Sequence, residues 1–319
     1  MAKKTINLAF LILLIFQLLA PQISLADNVE EIEEETGCSD VYSYLSFASK
    51  NKTIISEYNS QSILYPASLT KVMTLYLTFE AVKKGKIRLG DMITVSGRGE
   101  EMSAVNKITT LKLKEGDKIS VRQAIRGTLI KSFNGAAVSL AEKVAGDEWK
   151  FVRLMNEKAK ELGMRNTSFR NATGLHHPGQ YSNAYDLARL TIAIIQDFPR
   201  YYHLFSRKDF KYKGKKYRSH NHVLQNYRWA EGLKTGFTRA SGFNLISSAK
   251  KNNNRIVAVL LACASYEERD EFMMEILDDS FKRASKFKKN NFYSKLLSSK
   301  SALKSSYKNN YQYKYLNIR

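Results

Sequence analysis

The helix that organises this chain begins with the segment Pro66-Ala67-Ser68-Leu69-Thr70-Lys71-Val72-Met73-Thr74. Its helical pattern runs to about Lys84 and stops at Gly85, a common end signal. Apolar residues recur at helical spacing at Val72, Leu75, Tyr76 and Phe79. Ser68 and Lys71 are three positions apart, so the pattern predicts that they lie on one face, one turn apart.

Strand patterns lie at both ends of the chain around this helix. Residues 41–48 and 53–58 are β-rich runs separated by turn residues, which predicts a β-hairpin. Helical patterns follow at about 121–131, 134–145, 147–162 and 183–196. Strands return at 232–238, 242–249 and 255–264, before a helix from 267 to about 288. The order predicts a mixed α/β domain with a helical insertion.

Ser68 and Lys71 form a candidate nucleophile and base. A serine hydroxyl is a weak nucleophile until a base removes its proton. Lys71 can be that base only when neutral, and burial and a second nearby cation both lower a lysine pKa. Ser-x-x-Lys also arises by chance in many helices, so the alternative is a solvated pair without chemistry.

Ser132-Phe133-Asn134 lies between two predicted helices, where a turn can present side chains to a cleft. A second hydroxyl can pass a proton between the lysine and a leaving group, and an amide side chain can bind a substrate backbone. In isolation, a helix N-cap is the better interpretation of such a triplet.

Lys234-Thr235-Gly236 lies on a predicted strand. An extended peptide can pair with such a strand edge, and a residue without a side chain lets it approach closely. Lys234 and Thr235 can hold a carboxylate. The alternative for this triplet alone is an exposed strand followed by a turn.

The three motifs together, in this order, are the signature of penicillin-binding proteins and class A β-lactamases. Over about residues 41–288 the chain resembles the low-molecular-mass D-Ala-D-Ala carboxypeptidases of serine peptidase type. Further segments that resemble the family are 66–74, 113–117, 173–175, 178–182 and 232–236. The resemblance implies a transpeptidase-like fold, with an antiparallel sheet flanked by helices and an all-helical subdomain.

The resemblance also implies an activity, removal of the terminal D-alanine from peptidoglycan pentapeptides through an acyl-enzyme on Ser68, and binding of β-lactams. Lys71 is the implied base, Ser132 the proton relay and Asn134 the residue that orients the peptide. The implied substrate-binding residues are Lys234, Thr235, Gly236 and Phe237. The backbone amides of Ser68 and Phe237 are the implied oxyanion hole. No metal or organic cofactor is implied.

Two positions depart from the family pattern. The family usually has Asp after the Ser-x-Asn triplet, where this chain has Gly135. We expect that change to affect stability or loop rigidity more than activity. The family often has His or Tyr after Lys-Thr-Gly, where this chain has Phe237. Its backbone amide is kept, and a polar side-chain contact is lost.

Three other functions share these motifs. A class A β-lactamase needs a carboxylate for its deacylating water, and the Glu-x-x-Leu-Asn pattern that supplies it is not found here. A D,D-endopeptidase that cleaves wall cross-links can use the same site. A wall-binding relative without turnover is disfavoured by the intact motifs, with Gly135 the one feature in its favour.

The first residues predict export. Lys3 and Lys4 precede an apolar run at 8–19, and Ser24-Leu25-Ala26 offers small residues for cleavage after Ala26. The alternative is an uncleaved anchor, for which the run is short. Residues 1–26 are therefore predicted to be a signal peptide, and 27–40 an acidic leader. The protein is expected in the periplasm or cell envelope.

The net charge of +21 is unevenly distributed. Eleven basic and no acidic residues lie in 281–319, and residues 27–280 carry only +8. The composition of 289–319 predicts a disordered tail, with contact to an anionic membrane surface as the alternative. Outside the cytoplasm a basic protein meets anionic lipid or wall polymer rather than nucleic acid.

Cysteine and histidine add little to this interpretation. Export permits a disulfide between Cys38 and Cys263, but Cys263 lies in an apolar run that favours a buried thiol. His220 and His222 alternate as on a strand face, and no third ligand has suitable spacing. No metal site is predicted.

Overall fold

The computed structural model describes residues 42–50, 52–105 and 111–289, with side chains up to residue 284. Its strands are β1 (Ser43–Ala48), β2 (Thr53–Tyr58), β3 (Met92–Thr94), β4 (Lys118–Ser120), β5 (Asp209–Tyr212), β6 (Lys215–Arg218), β7 (Ala230–Thr238), β8 (Gly242–Lys251) and β9 (Asn254–Cys263). Its helices are α1 (Lys71–Lys83), α2 (Gly97–Ala104), α3 (Val121–Ile130), α4 (Asn134–Ala145), α5 (Glu148–Glu161), α6 (Ala184–Asp197), α7 (Pro199–Tyr202), α8 (His222–Asn226) and α9 (Tyr266–Lys289). Two 3₁₀ turns, Ala67–Thr70 and His203–Ser206, complete the set.

The main sheet has five antiparallel strands in the order β2-β1-β9-β8-β7. β1 pairs with β9, from Ser43 opposite Leu261 to Ala48 opposite Ile256. The mixed α/β class with strands from both ends of the domain in one sheet is therefore confirmed. Within the described residues, β7 has a strand neighbour on one side only.

The apolar sequence of β9 follows from burial on both faces of the sheet. Alternate side chains point to opposite faces of a strand. Val257, Val259 and Leu261 contribute to the larger core, which they share with α1 and the inserted helices. Ile256, Ala258 and Leu260 contribute to a second core under α9. Each large apolar side chain buried in this way stabilises the fold by about 1.5–3 kcal/mol.

The helical insertion positions one motif through its caps. Ser120 and Gln123 form a capping box at the start of α3, which satisfies backbone N–H groups that a helix start leaves unpaired. α3 ends at Ile130, with Lys131 as its C-cap, and α4 begins at Asn134. Ser132 lies in the three-residue connection with a φ of 61°. The chain therefore reverses tightly at the second motif.

Several elements were not predicted from the sequence, among them α2, the β5–β6 hairpin and α8. No helix was predicted at α2 because it contains Gly97 and Gly99, and glycine has a low helix propensity. The β5–β6 hairpin is rich in lysine, although Lys213 (φ 45°) and Gly214 (φ 76°) form the kind of turn that hairpins favour. The alternation of His220 and His222 suggested a strand, which is wrong, because His222 is the first residue of α8.

Several sequence predictions fall outside the described residues. They are the signal peptide 1–26, the acidic leader 27–40 and, beyond Lys289, the basic tail. These stay predictions, as do the domain boundaries. Among the helices that are described, none has both the length and the apolar composition that a membrane span requires.

Candidate active site

Ser68 lies in the 3₁₀ turn Ala67–Thr70, between the edge of the sheet and the helical insertion. The sequence predicted a helix start here, and α1 itself begins three residues later, at Lys71. Ala67 has a φ of 46°, a left-handed conformation that is rare for a residue with a side chain. Such strain is common beside reactive residues, and here it lies directly before Ser68.

Two glycines let other segments approach Ser68. A Cβ atom on Gly236 would lie 3.1 Å from the Ser68 backbone nitrogen, so β7 passes directly beside that amide. A Cβ atom on Gly174 would lie 1.9 Å from the Ala67 carbonyl oxygen. The turn that carries Ser68 therefore contacts β7 on one side and the 171–182 loop on the other.

Lys71 is fully buried, and its amine has three partners. Its Nζ lies 2.9 Å from Ser68 Oγ, 2.8 Å from Asn134 Oδ1 and 2.5 Å from the Thr173 carbonyl oxygen. The Asn134 and Thr173 oxygens can only accept hydrogen bonds, whereas a serine hydroxyl can donate or accept. A neutral amine has two N–H donors and one lone pair. These partners therefore leave the lone pair of a neutral Lys71 facing the Ser68 hydroxyl.

The electrostatic environment favours that neutral form. Burial holds the pKa of Lys71 well below its usual value, and the nearby Lys234 ammonium lowers it further. Both effects disfavour the charged state of an amine. Geometry and electrostatics thus agree that Lys71 can accept a proton from Ser68.

The second motif divides its side chains between the cleft and the core. Phe133 is buried against Phe210 and Tyr217 of the β5–β6 hairpin. Ser132 and Asn134, on either side of Phe133 in the chain, are therefore left to face the cleft. Asn134 Oδ1 accepts from Lys71, while the buried Ser132 hydroxyl has no hydrogen-bond partner within the described structure. A buried polar atom without a partner is unusual, and functional sites are one place where such atoms are found.

Lys234 and Thr235 are buried on β7, which is an edge strand of the described sheet. Burial and the nearby Arg269 guanidinium lower the pKa of Lys234 to about 7. The Lys234 Nζ donates to the Thr235 carbonyl oxygen at 2.7 Å. Thr235 Oγ1 lies 2.8 Å from His220 Nε2. This end of the cleft therefore concentrates positive charge and hydrogen-bonding groups.

The Phe237 side chain is half exposed and stacks on Phe243 of β8, with 4.3 Å between ring centroids. Phe237 and Phe243 are also directly opposite in the strand register. The ring thus packs along the sheet as part of an aromatic pair. The family pattern indicated a lost polar contact at Phe237, and the structure adds that the ring has an apolar partner of its own.

Gly135, the first departure from the family pattern, lies where α2 and α4 meet. A Cβ atom there would lie 1.9 Å from Ser103 Oγ and 2.5 Å from the Gly99 carbonyl oxygen. Its backbone is helical, so the requirement is for space and not for a special φ. Gly135 therefore permits a close helix contact, in keeping with an effect on stability.

Three residues of the cleft were missed by sequence reasoning. Thr173 acts through its carbonyl oxygen, which leaves no side-chain signal. His220 was considered only as a metal ligand. Arg269, buried and paired with Asp270 at 2.7 Å, lies in the first turns of α9. A buried Arg beside a predicted helix start has no pattern that separates it from a surface residue.

Metal binding finds no support among the residues that the structure describes. No group of three His, Cys, Asp or Glu side chains there is arranged to hold an ion. Cys263 is buried in the second core. Cys38 lies outside the described ranges, so the disulfide between them stays an open prediction.

The chain is similar to known proteins in both sequence and structure. A sequence profile of the family described as D-alanyl-D-alanine carboxypeptidase matches residues 39–265. The D-alanyl-D-alanine carboxypeptidase DacD of Escherichia coli K12 is 38% identical over 229 residues, which are 70% of this chain and 58% of DacD. The chain thus spans less than two thirds of that relative's length.

Two crystal structures share the fold. Penicillin-binding protein 6B of Escherichia coli superposes with a TM-score of 0.69 at 36% identity, covering 74% of this chain and 76% of that one. Penicillin-binding protein D2 of Listeria monocytogenes, in its ampicillin-bound form, has a TM-score of 0.68 at 28% identity, covering 75% and 96%. Both confirm the transpeptidase-like fold that the sequence motifs implied.

Proposed function

Because the chain belongs to the D-alanyl-D-alanine carboxypeptidase family, we propose that it removes the terminal D-alanine from peptidoglycan stem peptides, with Ser68 as nucleophile. The observation that carries the proposal is the buried Lys71 amine, 2.9 Å from Ser68 Oγ and bonded to two carbonyl-type acceptors. A lysine held in this way serves as a general base for acyl transfer.

Acylation begins when Lys71 takes the Ser68 hydroxyl proton and Oγ attacks the carbonyl carbon between the two D-alanines. The developing oxyanion is stabilised by the backbone amides of Ser68 and Phe237. Ser132 then passes its proton to the departing amine nitrogen and receives from Lys71 the proton that came from Ser68. The C–N bond breaks, D-alanine leaves and an ester remains on Ser68. The partnerless Ser132 hydroxyl supports this relay, since it has a proton and lone pairs available.

Lys234 and Thr235 bind the terminal carboxylate. A carboxylate bound at the open edge of β7 meets the Lys234 ammonium and the Thr235 hydroxyl, and the nearby Arg269 adds positive potential. Gly236 leaves room for the substrate backbone at the strand edge. Asn134 orients the peptide from the opposite wall.

Deacylation is the second half of the reaction. Water attacks the ester carbonyl carbon as Lys71 accepts its proton. The C–O bond to Ser68 then breaks, Oγ receives that proton, and the shortened peptide leaves. A β-lactam acylates the same serine, a proposal supported by the ampicillin complex of the Listeria monocytogenes relative. The two halves together need no metal or organic cofactor.

The site of action proposed is the bacterial cell envelope. Residues 1–26 have the composition of a cleaved signal peptide, and cell-wall peptides are outside the cytoplasm. Deletion of 289–319, with membrane association as the measurement, distinguishes a solvated tail from one that touches anionic lipid.

The pH dependence of acylation is the first prediction. The kcat/KM profile should be bell-shaped. Its acid limb rises as Lys71 loses its proton, and its alkaline limb falls as Lys234 loses its ammonium charge through a pKa of about 7. In Lys234→Arg, the permanent charge should remove the alkaline limb between about pH 7 and 9. The same alkaline limb in both proteins would contradict this assignment.

The identity of the reaction is tested with the mature protein and Ser68→Ala in parallel. A D-Ala-D-Ala-terminated peptide should release D-alanine, and penicillin should form an adduct that hydrolyses slowly, both only with Ser68 present. Rapid penicillin turnover would instead indicate a β-lactamase. A stable adduct without D-alanine release would indicate an endopeptidase, which cross-linked wall peptides would then reveal, or a protein without turnover.

A further inference from the structure

His220 contacts the residue proposed to hold the substrate carboxylate. Its Nε2 lies 2.8 Å from Thr235 Oγ1. Thr235 is buried on β7, and His220 lies two residues before α8 and is only partly exposed. The imidazole therefore contacts the proposed carboxylate-binding end of the cleft through Thr235. A role for this contact in binding rests on the proposed function, in which the Thr235 hydroxyl binds a carboxylate.

The Thr235 hydroxyl has one proton, and its direction depends on the His220 tautomer. If Nε2 lacks a proton, it accepts a hydrogen bond from the Thr235 hydroxyl. The hydroxyl proton is then not available to the ligand. If Nε2 carries the proton, it donates to Thr235 Oγ1, and the hydroxyl proton remains for the ligand. A carboxylate can only accept hydrogen bonds. Productive binding thus requires a donating Nε2.

A charged imidazolium would also donate, but the surroundings oppose it. Burial is the largest effect, and the positive charges of Lys234, Lys131 and Arg269 add to it, with His222 contributing as well. Together they lower the pKa of His220 to about 3. His220 is therefore neutral at working pH, and one ring nitrogen carries its single proton.

We propose that His220 is a positioning residue whose neutral imidazole donates through Nε2–H to Thr235 Oγ1 and so directs the Thr235 hydroxyl proton toward the substrate carboxylate. The arrangement is present before the ligand binds. It supplies a donor without adding another positive charge beside Lys234, Lys131 and Arg269, where such a charge would be strongly disfavoured.

The kinetic test uses His220→Ala, His220→Gln, Thr235→Val and the double variant His220→Ala with Thr235→Val. Acylation of Ser68 is measured with benzylpenicillin, which has a carboxylate, and with its methyl ester. Loss of a hydrogen bond to a charged group predicts about a 10- to 100-fold slower acylation of His220→Ala by benzylpenicillin. The ester should slow far less, and Gln, which retains an N–H donor, should restore part of the rate.

The double variant separates positioning from a structural role. In the Thr235→Val background, His220→Ala should cost little more, because the hydroxyl that it orients is already gone. Equal losses with benzylpenicillin and its ester, or additive losses in the double variant, would overturn the proposal.

The tautomer is measured directly and without turnover. In ¹⁵N-histidine-labelled protein, the His220 signal, identified by its loss in His220→Gln, should show a protonated Nε2 and an unprotonated Nδ1. This should hold in the free protein and in the penicillin adduct. An Nδ1–H tautomer in the free protein would overturn the inference even if D-alanine is released. Absence of D-alanine release with the Nε2–H tautomer present would instead count against the proposed function.

Discussion

Replacing Lys71 with methionine should slow acylation of Ser68 by penicillin and by peptide at least about 10³-fold, while the protein stays folded. Methionine fills a similar volume but cannot take the Ser68 proton. Loss of the lysine amine leaves Asn134 Oδ1 and the Thr173 carbonyl oxygen without a hydrogen-bond donor, which reduces stability by about 1–3 kcal/mol for each. Removing a buried amine that is costly to dehydrate offsets part of that loss. Stopped-flow acylation and thermal unfolding measure the two effects separately.

Two further variants make this prediction sharper. Lys71→Arg keeps a cation that does not lose its proton, so it should be as slow as Lys71→Met if a neutral base is required. Lys83→Met changes an exposed lysine at the end of the same helix and should acylate at the normal rate. Acylation within about tenfold of normal in Lys71→Met would show that another group removes the proton.

Gly135→Asp, which introduces the residue usual in the family, should destabilise this protein by about 3 kcal/mol or more. The new Cβ would lie 1.9 Å from Ser103 Oγ and 2.5 Å from the Gly99 carbonyl oxygen. To make room for the new side chain, α2 or α4 would have to move away from the other helix. Chemical denaturation measures the change, and a lower midpoint with an unchanged slope is expected.

The control for this substitution is Gly90→Asp, where no atom lies within 4 Å of the new Cβ. Its stability should change by less than about 1 kcal/mol. Ser103→Ala should rescue only part of the loss in Gly135→Asp, because the Gly99 carbonyl oxygen remains in the way. Normal stability of Gly135→Asp would show that α2 moves freely, and would disprove the close contact as the reason for glycine.

The sequence could predict the main sheet because each of its strands has a pattern visible in local sequence. β9 is continuously apolar, and the β1–β2 hairpin has clear turn residues between its strands. Elements that were not predicted, such as α2, contain residue types that are required by contacts with segments distant in sequence. α2 needs glycine to pack against α4, and no local rule identifies a helix whose glycines are required by a neighbour.

Some residues of the candidate site could likewise be predicted from the sequence, and others could not. The sequence could predict Ser68, Lys71, Asn134 and Lys234 as candidates because their side-chain types match a known chemistry at fixed spacing. Thr173 contributes a backbone oxygen, which any residue type can supply. His220 becomes visible only when the fold brings it to Thr235, because nothing in the spacing of the two residues relates them. Candidate residues that share a motif can therefore be predicted from the sequence. Backbone contributions and contacts made only in the folded protein cannot.

The pairing of β1 with β9 also has a consequence for how the chain reaches its native state. The β1–β2 hairpin is synthesised first, yet its inner neighbour β9 comes from the far end of the domain. Folding must therefore close a long loop, which slows it. Until β9 arrives, β1 presents an unpaired strand edge that can join another chain. A chain that stops before residue 254 should accordingly aggregate, and the emerging hairpin is where a chaperone is most needed.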